Sequence, residues 1–231
     1  MGEVVLAVAA HPDDEMLGCA GTLARHVACG DVVHLVFLAE GGDGARLDKN
    51  DLQGHANSQA SIVTAARNAA SCLGSQPPQF LGFPDNRMDG LPLLDIVKDL
   101  EKVIDSINPT IIYTHHAHDL NVDHRVTHQA VLTACRPLPG SAIKAIFAYE
   151  VLSSTEWASP NPAFAFTPTR YVDISTFLAQ KIILLACYET EMRPFPHARS
   201  NEAVEALARL RGSEVGFFAA EAFMVLRECV R

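Results

Sequence analysis

Val4-Val5-Leu6-Ala7-Val8-Ala9-Ala10-His11-Pro12-Asp13-Asp14-Glu15 is the stretch on which the fold turns. An apolar run of strand length, rich in β-branched residues, stops at an imidazole, a proline and three adjacent carboxylates. The run reads as a buried strand. Pro12 pushes His11 toward an extended conformation and favours a turn after it. Three neighbouring acids repel one another, and either a bound cation or plain solvation relieves that. They also suit the first turn of a helix, where carboxylates favour the positive end of the dipole. The residues that follow, 15–29, are helical in pattern. Leu17, Ala20, Leu23, Ala24 and Val27 share one face, and Gly30-Asp31 ends the run.

Outward from there the alternation repeats. Strands are expected at 32–38, 79–81, 110–114, 144–149 and 222–227. Helices are expected at 57–73, 92–107, 123–135, 177–188 and 202–211. Such alternation predicts an α/β fold whose mainly parallel sheet is covered on both faces, with sites beyond the carboxyl ends of the strands. The segment 153–169, with Pro160, Pro162 and Pro168, breaks the pattern and reads as an irregular flap over a pocket.

Composition narrows the classes. A chain of 231 residues, 48% hydrophobic, fits one globular domain, taken as 1–231. A net charge of −9 argues against a general nucleic-acid or anionic-membrane surface. No stretch offers the roughly 20 consecutive apolar residues of a membrane span. The six cysteines are dispersed, form no C-x-x-C pair and read as reduced core thiols, which places the protein in the cytoplasm. A homo-oligomer stays open.

The chemistry sits in two loops that follow strands. His11 and Asp14, three apart, can meet across one turn of chain, and imidazole nitrogen and carboxylate oxygen are suitable zinc ligands. A catalytic zinc needs a third protein ligand. The loop His115-His116-Ala117-His118-Asp119-Leu120-Asn121-Val122-Asp123-His124 can supply it. Asp13, pointing elsewhere than Asp14, can accept a proton from a metal-bound water. His124 and His128 are four apart, but no Glu follows His124, so the thermolysin-type motif is absent.

Ala10-His11-Pro12-Asp13-Asp14-Glu15 after an N-terminal strand resembles the signature of the PIG-L/LmbE-like zinc-dependent N-deacetylases. Asp119-Leu120-Asn121-Val122-Asp123-His124-Arg125 resembles that family's second motif. Phe83-Pro84-Asp85, Lys181 and Ala220-Glu221-Ala222-Phe223 also sit where such chains have similar residues. The resemblance implies a Rossmann-like three-layer sandwich and hydrolysis of the acetamide of an N-acetylated sugar or glycoconjugate. It implies Zn2+ on His11, Asp14 and His124, with Asp13 as general base. The second motif often has a histidine three before the zinc-binding one, where this chain has Asn121. His118, beside Asp119 as an orienting carboxylate, is the expected replacement as oxyanion stabiliser, and Asn121 itself is a weaker neutral donor. Arg46, Arg67, Asp85 and Arg87 are expected around the substrate. Competing readings are an amidase for a larger acyl group and a non-catalytic nucleotide- or sugar-binding domain.

Weaker signals complete the reading. Gly41-Gly42-Asp43-Gly44 is a flexible loop, since the lysine of a P-loop is missing. Trp157 is either packing or a sugar-stacking surface. His26, His34 and His55 are structural, and Cys19 is a buried thiol.

Overall fold

The structure, a computed structural model, describes residues 2–39, 41 and 52–230. Seven strands form one sheet: β1 Val4–Ala9, β2 Val32–Ala39, β3 Gln79–Phe83, β4 Ile111–His115, β5 Ala145–Tyr149, β6 Arg170–Asp173 and β7 Ala220–Glu228. The helices are α1 Asp14–Ala28, α2 Leu52–Leu73, α3 Leu93–Ile107, α4 Val122–Ala134, α5 Leu178–Ala186 and α6 Asn201–Ser213. The strand order is β3-β2-β1-β4-β5-β7-β6. The first five strands run parallel, and β7 is antiparallel to both β5 and β6.

The alternation along β1 explains the layers. Val5, Ala7 and Ala9 point into a core shared with α1, α2 and α5, while Leu6, Val8 and Ala10 point into a second core shared with α3 and α4. With both faces covered, β1 reads as a continuous apolar run. It is central, between β2 and β4, so its carboxyl end lies beside that of β4. The Ala10 N–H donates to His115 Nε2 at 2.9 Å, which ties the two functional loops together.

One strand is absent from the sequence expectation. β6 has four residues, all half-buried, on the edge of the sheet, and shows neither alternation nor an apolar run. A helix also breaks: α1 leaves helical geometry at Cys19 (φ −146°, ψ 18°). Lys181 Nζ donates to the Leu17 carbonyl at 2.8 Å and to Glu221 Oε1 at 2.6 Å. The Glu221 carboxylate accepts the Gly21 and Thr22 N–H groups at 3.0 and 2.7 Å. A buried ion pair thus takes up backbone groups that the kink frees.

All six cysteines are free. Only Cys19 and Cys135 are buried, and Cys29, Cys72 and Cys229 are exposed, so the set is not a core set. His26 is structural, bridging Asp31 and the Tyr113 hydroxyl. The side chain of His55 lies outside the described residues. Among the described residues, no helix is long and apolar enough to cross a membrane.

Candidate metal centre

The first motif folds into a strained corner. Asp13 has φ 107°, a region non-glycine residues rarely enter. Its carbonyl accepts the Met16 and Leu17 N–H groups, starting α1. Its N–H donates to Glu15 Oε2 at 3.0 Å, and the Tyr188 hydroxyl donates to Glu15 Oε1 at 2.7 Å. Burial pushes the Glu15 carboxyl up to about 8. The helix-start reading of the three acids is therefore correct in position, but the side chains turn inward and are buried.

Asp13 and Asp14 diverge. Asp13 Oδ2 accepts from Arg199 Nη1 at 2.6 Å. Burial raises the Asp13 pKa, and the Arg199 guanidinium opposes the rise. Asp14 Oδ2 accepts the His11 N–H at 2.9 Å and lies 3.3 Å from His11 Nδ1 and 3.2 Å from His124 Nε2. Ligand atoms of His11, Asp14 and His124 all fall within 4.8 Å of one another.

Each histidine is oriented from behind. His11 Nε2 lies 3.1 Å from Asp123 Oδ2 and 3.1 Å from Asp85 Oδ1. Asp123 is itself fixed by the Asn86 and Met88 N–H groups at 2.6 and 3.0 Å. His124 Nδ1 lies 3.1 Å from Asp119 Oδ1. Asp119 accepts from the hydroxyls of Ser154 and Thr155 and from the Asn121 N–H. Burial opposes ionisation of Asp119, yet His124 and the two hydroxyls bring its pKa down to about 2. A carboxylate on the far nitrogen sets the tautomer, leaving the near nitrogen's lone pair for a metal. His115 stacks on His124 with centroids 3.9 Å apart and stands 3.5 Å from Asp14 Oδ2.

Donor chemistry and an orphaned atom show that these residues fit a divalent cation. Asp14 Oδ1 is buried without a hydrogen-bond partner among the described residues, a condition that costs stability unless something else binds it. Burial works against a charged His124, but Asp14 and Asp119 raise its pKa to about 9, and the same field favours a metal ion. Two imidazoles and one carboxylate form a set suited to zinc.

A pocket of about 250 Å³ opens over this cluster. His11, Asp13, Asp85, Asn121 and His124 line it. Asn121 is the N-cap of α4, where its amide oxygen accepts from Asp123 and His124 N–H while its NH2 donates to Asn86. Two expectations change, and a third falls outside the described residues. His118 is exposed, packs on Phe164 at 4.2 Å and does not line the pocket, and Asp119 serves His124 instead. Arg67 and Arg87 are exposed and stand away from the lining. Arg46 and Gly42-Asp43-Gly44 lie outside the described residues.

The pocket's guanidinium groups come from the stretch after α5. Arg193, His197 and Arg199 line it, with Glu191, which lies 3.3 Å from Arg199. No periodicity or spacing marks these residues; only the richness of 193–199 in Arg, Pro and His distinguishes them.

Fold and donor set define an α/β protein whose His11, Asp14 and His124 could hold a divalent cation beside a buried, ion-paired carboxylate. The profile of the PIG-L family, described as GlcNAc-PI de-N-acetylase, matches residues 6–135, and the chain belongs to that family of metal-dependent deacetylases. It is 33% identical to the uncharacterized deacetylase YaiS of Escherichia coli K12 over 165 residues, 68% of this chain and 78% of that protein. It is 26% identical over 241 residues to the 1D-myo-inositol 2-acetamido-2-deoxy-alpha-D-glucopyranoside deacetylase of Mycolicibacterium vanbaalenii, covering 85% of this chain and 83% of that one. The structure of GalB, the 4-carboxy-2-hydroxymuconate hydratase of Pseudomonas putida, superposes with a TM-score of 0.78 at 22% identity, over 99% of this chain and 98% of that chain. That last likeness concerns the fold alone, and function must be argued from the site.

Proposed function

We propose that this protein hydrolyses the N-acetyl group of an N-acetylated amino sugar, or of a glycoconjugate carrying one, with zinc held by His11, Asp14 and His124. The observation that carries the reading is the buried Asp14 carboxylate, its Oδ2 between two imidazoles whose far nitrogens each face a carboxylate and its Oδ1 orphaned. Bound zinc supplies polarisation of the acetyl carbonyl and a water acidic enough to be deprotonated near neutrality.

The chain's own residues do the rest. Asp13 takes the proton of the attacking water. Arg199 engages Asp13 Oδ2, so the proton arrives on Oδ1. The nitrogen needs a proton before it leaves. His115 is buried and accepts from the Ala10 N–H, His116 bonds the Phe164 carbonyl, and His118 faces Phe164. None of the three is a proton donor to the pocket, so Asp13 returns its own proton to the amine. Asn121 contributes by capping α4 and thereby setting the direction of His124. The reading takes 1–231 as one catalytic domain, and its unpaired thiols support a cytoplasmic setting.

Metal analysis of tag-free protein should find one zinc per chain. An amine-release screen over acetylated sugars, nucleotide sugars and thiol glycosides should find a substrate. Analogues with longer acyl groups test the amidase alternative: faster release from them than from acetamides would displace acetyl as the leaving acyl group. Full zinc occupancy in His124→Ala would refute the ligand set, and a zinc-loaded protein inert on every acetamide would refute the substrate class.

A further inference from the structure

We infer that Tyr188 is a positioning residue for the reaction: its hydroxyl, acting through the Glu15 carboxylate, holds the Asp13 backbone in the conformation that turns the Asp13 carboxylate into the pocket. The inference rests on the deacetylase reading for the role of Asp13 as general base.

The contact follows from how α5 is fixed on α1. Lys181 Nζ donates to the Leu17 carbonyl at 2.8 Å. Glu15 stands two residues before Leu17, and Tyr188 stands seven residues after Lys181, close to two helical turns on. The two side chains meet in the interior. The Tyr188 hydroxyl donates to Glu15 Oε1 at 2.7 Å, and both residues are fully buried. Glu15 Oε2 accepts the Asp13 N–H at 3.0 Å. A tyrosine that only fills the core is content with any nearby acceptor. Here the acceptor uses its second oxygen on the N–H of a strained residue.

Asp13 sits at φ 107°, and a non-glycine residue stays in that region only while its surroundings over-determine it. Releasing the N–H lets the corner relax toward negative φ. That rotation moves the carboxylate away from Arg199 Nη1, which holds it at 2.6 Å. Arg199 belongs to the same stretch as Tyr188, eleven residues on. The stretch therefore grips Asp13 twice, by its N–H through Glu15 and by its side chain directly. Neither Tyr188 nor Glu15 lines the pocket, so neither touches the substrate.

Tyr188→Phe keeps the ring and removes the hydroxyl. With zinc loaded it should lower kcat on an acetamide about tenfold, the scale of one buried hydrogen bond, and leave KM and zinc affinity within about twofold. A double-mutant cycle separates positioning from packing. In an Asp13→Asn background the same substitution should cost less than about twofold of the residual rate, because the carboxylate it positions is gone. Equal losses in both backgrounds would make Tyr188 a packing residue and overturn the inference. Glu15→Gln can still accept the Asp13 N–H and bond Tyr188, so it should lose less kcat than Glu15→Ala; equal losses would break the chain at Glu15. Amide exchange read by NMR needs no turnover. The Asp13 amide should exchange about tenfold faster in Tyr188→Phe, with the amides of β1 unchanged. An Asp13 amide as protected as in the unsubstituted protein would overturn the inference. A faster Asp13 amide in a protein that releases no amine from any acetamide would support the grip on Asp13 and overturn the deacetylase reading instead.

Discussion

Asp13 occupies a left-handed backbone position that a non-glycine residue holds only when its surroundings insist. Here they do: its carbonyl starts α1, its N–H rests on Glu15 and its carboxylate rests on Arg199. Asparagine tolerates that backbone region, so Asp13→Asn should fold and bind zinc. It should lose roughly 10²–10⁴-fold in kcat, the worth of general-base catalysis. Near-normal turnover with zinc present would remove Asp13 from the chemistry. Asp119 tests the support behind the ligands. Asp119→Asn should weaken zinc binding by about 10–100-fold, as losses of such orienting carboxylates do, measured by competition with a chelator. An unchanged affinity would mean that Asp119 only anchors the Ser154–Thr155 turn. The convergence of the proposed ligands was legible, because His11 and Asp14 share one turn of chain and His124 sits in a motif. Arg199 was not, since it reaches Asp13 across 186 residues of sequence.

Among the elements, α1 and the segment 153–169 are more than their sequence patterns suggest. Residues 15–29 look like a regular amphipathic helix, yet the structure breaks it at Cys19 and splices it with Lys181 and Glu221. Removing one partner of a buried pair leaves the other uncompensated. Lys181→Met should therefore destabilise by about 3–5 kcal/mol in urea unfolding; a cost below about 1 kcal/mol would show that the kink holds without the pair. The segment 153–169 reads as a flap from its prolines, but it has two parts. Ser154 and Thr155 are buried and hold Asp119, whereas most of 158–166 is exposed. Shortening 158–166 should alter relative rates among substrates, while Ser154→Ala with Thr155→Val should lower zinc affinity. If the double substitution changed only selectivity, the division would be wrong.

At the scale of the molecule, the proposed metal ligands join the loop after β1 to the start of α4, so zinc bound there should stabilise the native chain against unfolding. At a hundredfold excess over its dissociation constant, a ligand contributes about 2.7 kcal/mol, worth roughly 2–4 °C per kcal/mol in a chain of this size. Chelation should lower Tm by about 5–10 °C, and His11→Ala should abolish the difference; an identical Tm with and without zinc would argue against the site. The sequence by itself determined the parallel α/β core and the two loops that carry the proposed ligands. Both are written in short-range signals: apolar periodicity over a single element, and imidazoles and carboxylates a few residues apart. Only the tertiary structure decided that Asp13 faces Arg199, that Asp119 serves His124 rather than His118, that β6 joins the sheet edge, and that the stretch after α5 closes the pocket. Those choices depend on which distant segments share a low-dielectric interior, where each buried charge must find a partner, and no local pattern records that partner's identity.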